Sequence, residues 1–237
     1  MPHRPQHPLV AGVVVAAGRG ARFGDSRPKA LLEAADAPLV VHAVTALRGA
    51  GIETVVVVHP MGDQAPFDAA LEDHGVVLVP GGQTRTDSVR AGLAAVDPTC
   101  EVVAVHDAAR PLVPSAVVAR AVAAVTGDVL AVAPAIPVAD TLKRVASDQE
   151  VLATVDREAL RCVQTPQAFP RWVLEVVLDG ADTATDELAL VERAIADGRL
   201  QGRVIVVDGS VFGMKVTYPD DLRVLEAMAR VLREVVT

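Results

Sequence analysis

Four stretches of this sequence combine residue types that could do chemistry. The first is Ala16-Ala17-Gly18-Arg19-Gly20-Ala21-Arg22-Phe23-Gly24, followed by Pro28-Lys29. Glycines let backbone N–H groups approach a phosphate closely, and a nest of such groups binds anions. Arg22 and Lys29 add two cations to the same loop. The spacing is not a Walker A loop, which needs Lys-Ser/Thr after its last glycine. It is not the dinucleotide fingerprint either, because Phe23 stands where the third glycine would fall. The second stretch, Val105-His106-Asp107-Ala108-Ala109-Arg110-Pro111, places an acid and a base three residues apart. Asp107 could serve a metal or hydroxyls and Arg110 a phosphate, or the two could pair and close a turn. His106 has no serine or cysteine beside it to activate, so a structural role is expected. The third stretch is Gly81-Gly82-Gln83-Thr84-Arg85-Thr86-Asp87-Ser88-Val89, a glycine turn entering a helix. It could receive a base or ribose at the helix N-terminus, or simply cap the helix. The fourth is Met214-Lys215-Val216-Thr217. Among 22 basic residues the only lysines are Lys29, Lys143 and Lys215. Lysine is a compact, mobile point charge, suited to a phosphoryl group whose geometry changes during transfer.

These stretches need a frame that brings them together. Leu9–Ala16, Thr54–Val58, Val76–Val79, Val102–His106 and Val129–Pro134 read as buried strands. Pro38–Ala50, Gln64–His74, Arg85–Ala95 and Ser115–Val125 read as the helices between them. This alternation predicts an α/β fold: a mostly parallel sheet with helices on both faces and right-handed crossovers. Ligands in such sheets sit outside the carboxyl ends of the strands, where the glycine loop and Asp107 fall. After Pro134 the rhythm breaks. Asp140–Val145 and Val151–Val155 alternate polar and apolar residues around a turn, which predicts a β-hairpin. An isolated ribbon of two strands is marginal in water, so residues 138–158 are expected to form an arm that packs on a second subunit. The chain returns through Leu160–Thr165, helices near Arg171–Leu178 and Asp186–Asp197, and a strand at Arg203–Val207. A closing helix, Pro219–Val235, begins with proline, favoured in a first turn. No repeat or linker divides residues 1–237, which therefore read as one domain with an arm.

Composition narrows the partners. Apolar residues make up 51% and charged residues 22% of the chain, a globular balance. Aromatics are only 3%, so Val, Ala and Leu must fill the core. A net charge of −8 argues against a nucleic-acid surface, which would want a basic face. It leaves room for small phosphorylated substrates in a local cationic pocket. Cys100 and Cys162 form neither metal-ligand spacing nor a disulfide framework, which points to a reducing compartment, the cytoplasm. Arg4 followed by Leu9–Ala17 has some look of a secretory signal. The run is short, however, and passes straight into the glycine loop, so a buried strand is expected instead. No apolar stretch reaches the ~18 residues that cross a bilayer.

Taken in order, A-A-G-x-G-x-R with P-K, then G-G-x-x-R-x-D-S-V, V-H-D-A-A-R-P, D-T-x-K-R, T-P-Q and K-V-T resemble the 2-C-methyl-D-erythritol 4-phosphate cytidylyltransferases of the non-mevalonate isoprenoid pathway. The likeness runs from about Val10 to the final helix. It implies a Rossmann-like domain whose hairpin arm clasps that of a second subunit in a homodimer. It also implies the reaction: CTP and the polyol phosphate give 4-diphosphocytidyl-2-C-methyl-D-erythritol and pyrophosphate. Carried over motif by motif, Ala16, Ala17, Gly18, Gly20, Arg22 and Lys29 would hold CTP, with Gly82, Ser88 and Ala108 around its cytidine. Asp107, Arg110, Thr141, Arg157, Thr165 and Lys215 would face the acceptor, partly across the dimer interface. Arg22, Lys29, Arg157 and Lys215 would be catalytic, the last two positioning the attacking phosphate. Mg²⁺ would be held mainly by CTP phosphates, with Asp107 as the chain's own ligand. The sequence departs from the family's pattern at Ala30, where relatives commonly carry glutamine, and at Gly213, where they often carry asparagine. Thr185-Asp186-Glu187 also matches the family, and reads equally as a helix N-cap with acids in the first turn. Three other readings are compatible with parts of the chain: a ribitol-5-phosphate cytidylyltransferase, a nicotinamide-dependent oxidoreductase and a non-catalytic nucleotide-binding dimer.

Overall fold

The structure, a computed structural model, describes residues 8–18, 27–181 and 183–236, with side chains through 234. Twelve strands are present among the described residues. They are β1 (Val10–Val15), β2 (Glu33–Ala34), β3 (Ala37–Pro38), β4 (Thr54–His59), β5 (Val77–Pro80) and β6 (Val102–Asp107), followed by β7 (Val129–Pro137), β8 (Leu142–Val145), β9 (Val151–Val155), β10 (Arg161–Val163), β11 (Gln167–Pro170) and β12 (Arg203–Asp208). The seven helices are α1 (Leu39–Gly49), α2 (Gln64–Leu71), α3 (Arg85–Ala94), α4 (Ser115–Ala123), α5 (Arg171–Leu178), α6 (Glu187–Ala196) and α7 (Asp221–Val236).

The main sheet runs β5-β4-β1-β6-β11-β7, with β12 parallel to β7 and β10 antiparallel to the far end of β7. The pairs β1–β4, β1–β6 and β4–β5 are parallel, as the sequence rhythm predicts. The exception is β11, which lies antiparallel between β6 and β7 and pairs Gln167 with Val105 and Ala168 with Val132. Sequence reading took the chain only as far as Thr165 and missed this strand.

Because side chains alternate across a strand, the Val-rich runs feed two cores. Val13, Val56, Val103, Val105 and Phe169 pack beneath α3, α5 and α6, while Val14, Val55, Val57 and Ala104 pack beneath α1, α2 and α4. Gly92 in α3 makes the first packing close. A Cβ there would lie 2.5 Å from Val13 Cγ1 and 2.9 Å from Val58 Cγ2. The helix starts have local causes. Thr84 and Asp87 form a reciprocal capping box at α3, and Asp186 caps α6 by accepting from Ala189 N. The last helix begins two residues after Pro219, with Asp221 accepting from the N–H groups of Thr217 and Tyr218.

The predicted hairpin is present as a separate ribbon of β8 and β9, paired from Leu142 with Val155 to Val145 with Val151. Val145, Val151 and Leu152 stand 47%, 57% and 56% exposed on it. Among the described residues no helix is long and apolar enough to cross a membrane.

Candidate active site

A cleft opens at the carboxyl ends of β1 and β6, where a twisted parallel sheet places its ligands. From the end of β1 come Ala16, Ala17 and Gly18, and from the end of β6 come Asp107, Ala108 and Ala109. The turn between β5 and α3 supplies Gly82, Gln83, Thr84, Arg85 and Ser88. Lys29, Ala30 and Lys215 complete the wall. Two glycines let these segments meet. At Gly81 a Cβ would lie 2.7 Å from Ala17 Cβ and 2.8 Å from Ser88 Oγ, and at Gly82 one would lie 2.2 Å from Asp87 Cβ. Lys29 sits in a short 3₁₀ turn, Lys29–Leu31, and its Nζ donates to Val216 O at 2.8 Å. Two of the three lysines singled out by composition therefore arrive at neighbouring points of the wall, while the third, Lys143, lies on the β8–β9 ribbon and donates to Thr154 Oγ1.

At the centre stands a chain of charges. Lys215 Nζ donates to Asp107 Oδ2 at 2.7 Å, Arg85 Nη1 donates to Asp107 Oδ1 at 2.5 Å, and Arg85 Nη2 donates to Glu187 Oε2 at 2.9 Å. Burial alone would raise the Asp107 carboxyl, but Arg85 and Lys215 outweigh it and hold the group well below the usual carboxylate range. Burial likewise works against the Arg85 charge, and Asp107 and Glu187 overcome it, so the guanidinium stays fully protonated. Burial pushes the Glu187 carboxyl up, with Arg85 opposing.

Behind Asp107, Thr165 Oγ1 accepts from Asp107 N at 3.0 Å and lies 2.8 Å from His106 Nδ1. The Thr165 hydroxyl thus ties the His106 ring to the backbone of Asp107. His106 is fully buried, and burial lowers its pKa from 6.5 to about 4. It is neutral and structural, as its sequence context predicts.

Of the residues expected at the site, Ala16, Ala17, Gly18, Lys29, Gly82, Ser88, Asp107, Ala108 and Lys215 share this cleft. Gly20 and Arg22 lie outside the described residues. Thr165 is buried and braces Asp107 from behind, without lining the cleft. Arg110 donates to Gly213 O at 2.7 Å and Val163 O at 3.1 Å, so its fork braces the segment leading to Lys215. The alternative of an Asp107–Arg110 pair closing a turn is not what forms, because Arg85 and Lys215 take both carboxylate oxygens. Thr141 and Arg157 are exposed at the base of the ribbon, where Arg157 donates to Ala139 O, and neither lines the cleft of its own chain. Sequence reading quoted Arg85 and Glu187 within motifs but gave Arg85 no part in the site and left Glu187 divided between motif and helix start.

The departure at Gly213 has a steric reason: a Cβ there would lie 2.8 Å from Gln164 Oε1. The Gln164 carboxamide instead donates to Ser210 O and accepts from Ser210 N. Nothing in the structure explains Ala30.

Asp107 is the chain's own expected metal ligand. Its two oxygens are committed to two cations, and no group of three His, Cys, Asp or Glu side chains converges among the described residues. Among the described residues, then, no carboxylate cluster is preformed for a resident metal ion. A divalent cation would enter with the triphosphate as part of the substrate.

The comparisons with known proteins agree with this geometry. The sequence model of the family described as IspD, 2-C-methyl-D-erythritol 4-phosphate cytidylyltransferase, matches residues 10–231. An enzyme of that name from Streptomyces avermitilis is 40% identical, covering 94% of this chain and 93% of the relative. One from Saccharopolyspora erythraea is 43% identical over 92% and 98%. Among solved structures, the Thermus thermophilus 2-C-methyl-D-erythritol 4-phosphate cytidylyltransferase superposes with a TM-score of 0.76 at 33% identity, covering 92% of this chain and 98% of that one. Sequence and fold together over nearly the whole chain place it in one family: it belongs to the 2-C-methyl-D-erythritol 4-phosphate cytidylyltransferases.

Proposed function

We propose that this cleft binds CTP and 2-C-methyl-D-erythritol 4-phosphate together and transfers the cytidylyl group between them. The acceptor phosphate oxygen attacks the α-phosphorus of CTP. The new P–O bond forms as the bond from the α-phosphorus to the bridging oxygen breaks, and the electron pair leaves with pyrophosphate. A phosphate monoester is largely ionised near neutral pH, so the nucleophile needs no general base. The difficulty is to hold two polyanions in line and to neutralise charge as it shifts. When bound to the triphosphate, Mg²⁺ supplies part of that neutralisation.

The rest falls to the chain. The backbone after β1 and the turn before α3 receive the nucleotide, with Ala108 closing the floor. Lys29 and Lys215 set point charges on the wall, and Arg22 is assigned to the same task. The observation that carries this reading is the meeting of Lys29, Lys215 and two glycine turns at one sheet edge. Arg157 and Thr141, remote from their own cleft, are assigned to the acceptor side of a second subunit, with the apolar ribbon residues as the dimer contact. Two unpaired thiols, Cys100 and Cys162, accord with the cytoplasm.

Incubating the protein with CTP, Mg²⁺ and either the methylerythritol phosphate or ribitol 5-phosphate, and measuring pyrophosphate, tests the reaction. Faster release with the former is expected. Release only with ribitol 5-phosphate, or with neither, overturns the assignment. Light scattering tests the dimer, and a mass near 24.7 kDa, that of one chain, removes it.

A further inference from the structure

Glu187 is 1% exposed and lies at the first position of α6, behind the cleft. It does not itself line the cleft, yet it is the inner end of the charge chain. From Glu187 the signs alternate through Arg85 and Asp107 to Lys215, whose side chain is 47% exposed. An arginine fork normally closes on one carboxylate with two parallel bonds. Here it is split, with Nη1 on Asp107 and Nη2 on Glu187, while Nε is buried with no partner among the described residues. The split leaves Asp107 Oδ2 for Lys215.

We infer that Glu187 is a positioning residue for cytidylyl transfer: by taking one arm of Arg85 it limits Arg85 to a single oxygen of Asp107, and so keeps Lys215 anchored at the wall of the cleft. Without the Glu187 charge, the guanidinium closes on both Asp107 oxygens and displaces the ammonium. Lysine on its flexible stem then loses its fixed place. Because the site is buried, this competition between cations is stronger than it would be in water. The inference rests on the reading of the cleft as the transfer site.

Glu187→Gln keeps the shape and removes the charge. Steady-state kinetics of E187Q, K215A and the double variant test the coupling, since residues acting through one another are not additive. The expected result is a kcat lower by about tenfold in E187Q, in the range seen when a residue that orients a contacting residue is lost. Its KM for CTP is expected to stay within about threefold. In the K215A background the same change is expected to cost less than about twofold. A purely structural acid would lower the melting temperature and leave the two losses additive, and that outcome overturns the inference. So does a kcat for E187Q within twofold of wild type.

Glu187→Asp keeps the buried charge and retracts it by one methylene. It is expected to lose kcat in the same Lys215-dependent way if E187Q does not fold, and additive behaviour there overturns the inference equally. A crystal structure of the variant separates this from the parent reading. Arg85 bidentate on Asp107 with Lys215 released supports the inference, and an unchanged split of Arg85 overturns it, whether or not wild type turns over. Failure of wild type to release pyrophosphate would strike the parent reading alone.

Discussion

Acid should weaken this protein through a single buried ring. A second proton on the His106 ring would enter a site where Nδ1 already lies 2.8 Å from Thr165 Oγ1. It would also place a charge in a fully buried site, which is why burial lowers the pKa from 6.5 to about 4. Between those values the unfolded chain binds a proton that the folded chain refuses. Stability therefore falls as pH falls through that window and is fully present above it. From those two values, the loss between pH 7.5 and 4.5 is on the order of 2–3 kcal/mol, roughly half of it by pH 5.5. Asp107, held low by Arg85 and Lys215 against its burial, adds a loss of the same sign only once pH drops below the ordinary carboxylate range.

His106→Asn isolates the ring, because its carboxamide can hydrogen-bond Thr165 and does not titrate. Urea unfolding followed by circular dichroism at pH 7.5, 6.5, 5.5 and 4.5 gives both curves. One protein concentration must be kept, since a dimer's apparent stability depends on it. The wild-type curve should fall relative to the variant by roughly 2–3 kcal/mol over the series. Curves that stay parallel within about 0.5 kcal/mol, or that diverge only below pH 4, would refute the argument, because either would mean His106 does not carry the acid-labile proton. The consequence reaches the cleft, because His106 meets the same Thr165 hydroxyl that accepts from Asp107 N.

Lys29→Ala and Lys215→Ala should each fold and lose on the order of 10²–10³ in kcat, as for other transition-state donors; turnover within threefold of wild type in either removes its role. Arg85→Met strands the buried Glu187 carboxylate and should cost about 3–5 kcal/mol in urea unfolding. Arg203→Met breaks a pair exposed at both ends and should cost under about 1 kcal/mol, so equal costs would show that burial is not what matters. Gly92→Ala adds about 1 kcal/mol of helix propensity but drives a methyl into Val13 and Val58, at roughly 1–3 kcal/mol. A net loss is expected, and a stabilised variant would contradict the close packing of α3 on the sheet.

What could be read from the sequence and what could not divides along a physical line. The glycine turns, Asp107 and Lys215 were legible because each rests on chemistry within a few residues: a backbone that must approach an anion, or a charge at the end of a strand. The parallel core was legible for the same reason, through unbroken valine runs such as Thr54–Val58. Strand β11 was not. Its six-residue neighbourhood, Thr165-Pro166-Gln167-Ala168-Phe169-Pro170, carries two prolines, which normally demote a segment to an edge. Both prolines flank the pairs that matter, so Gln167 and Ala168 still bond to β6 and β7, and Phe169 still enters the core. The same strand seats Thr165 behind Asp107. Arg85 and Glu187 were hidden by distance, since they meet across 102 residues and no local pattern shows which acid a buried arginine will find. The cation–acid ladder of this site is therefore a product of topology. An antiparallel strand inserted into a parallel sheet supplies the brace, a helix start supplies the terminal acid, and the motif residues acquire their geometry only when both are in place.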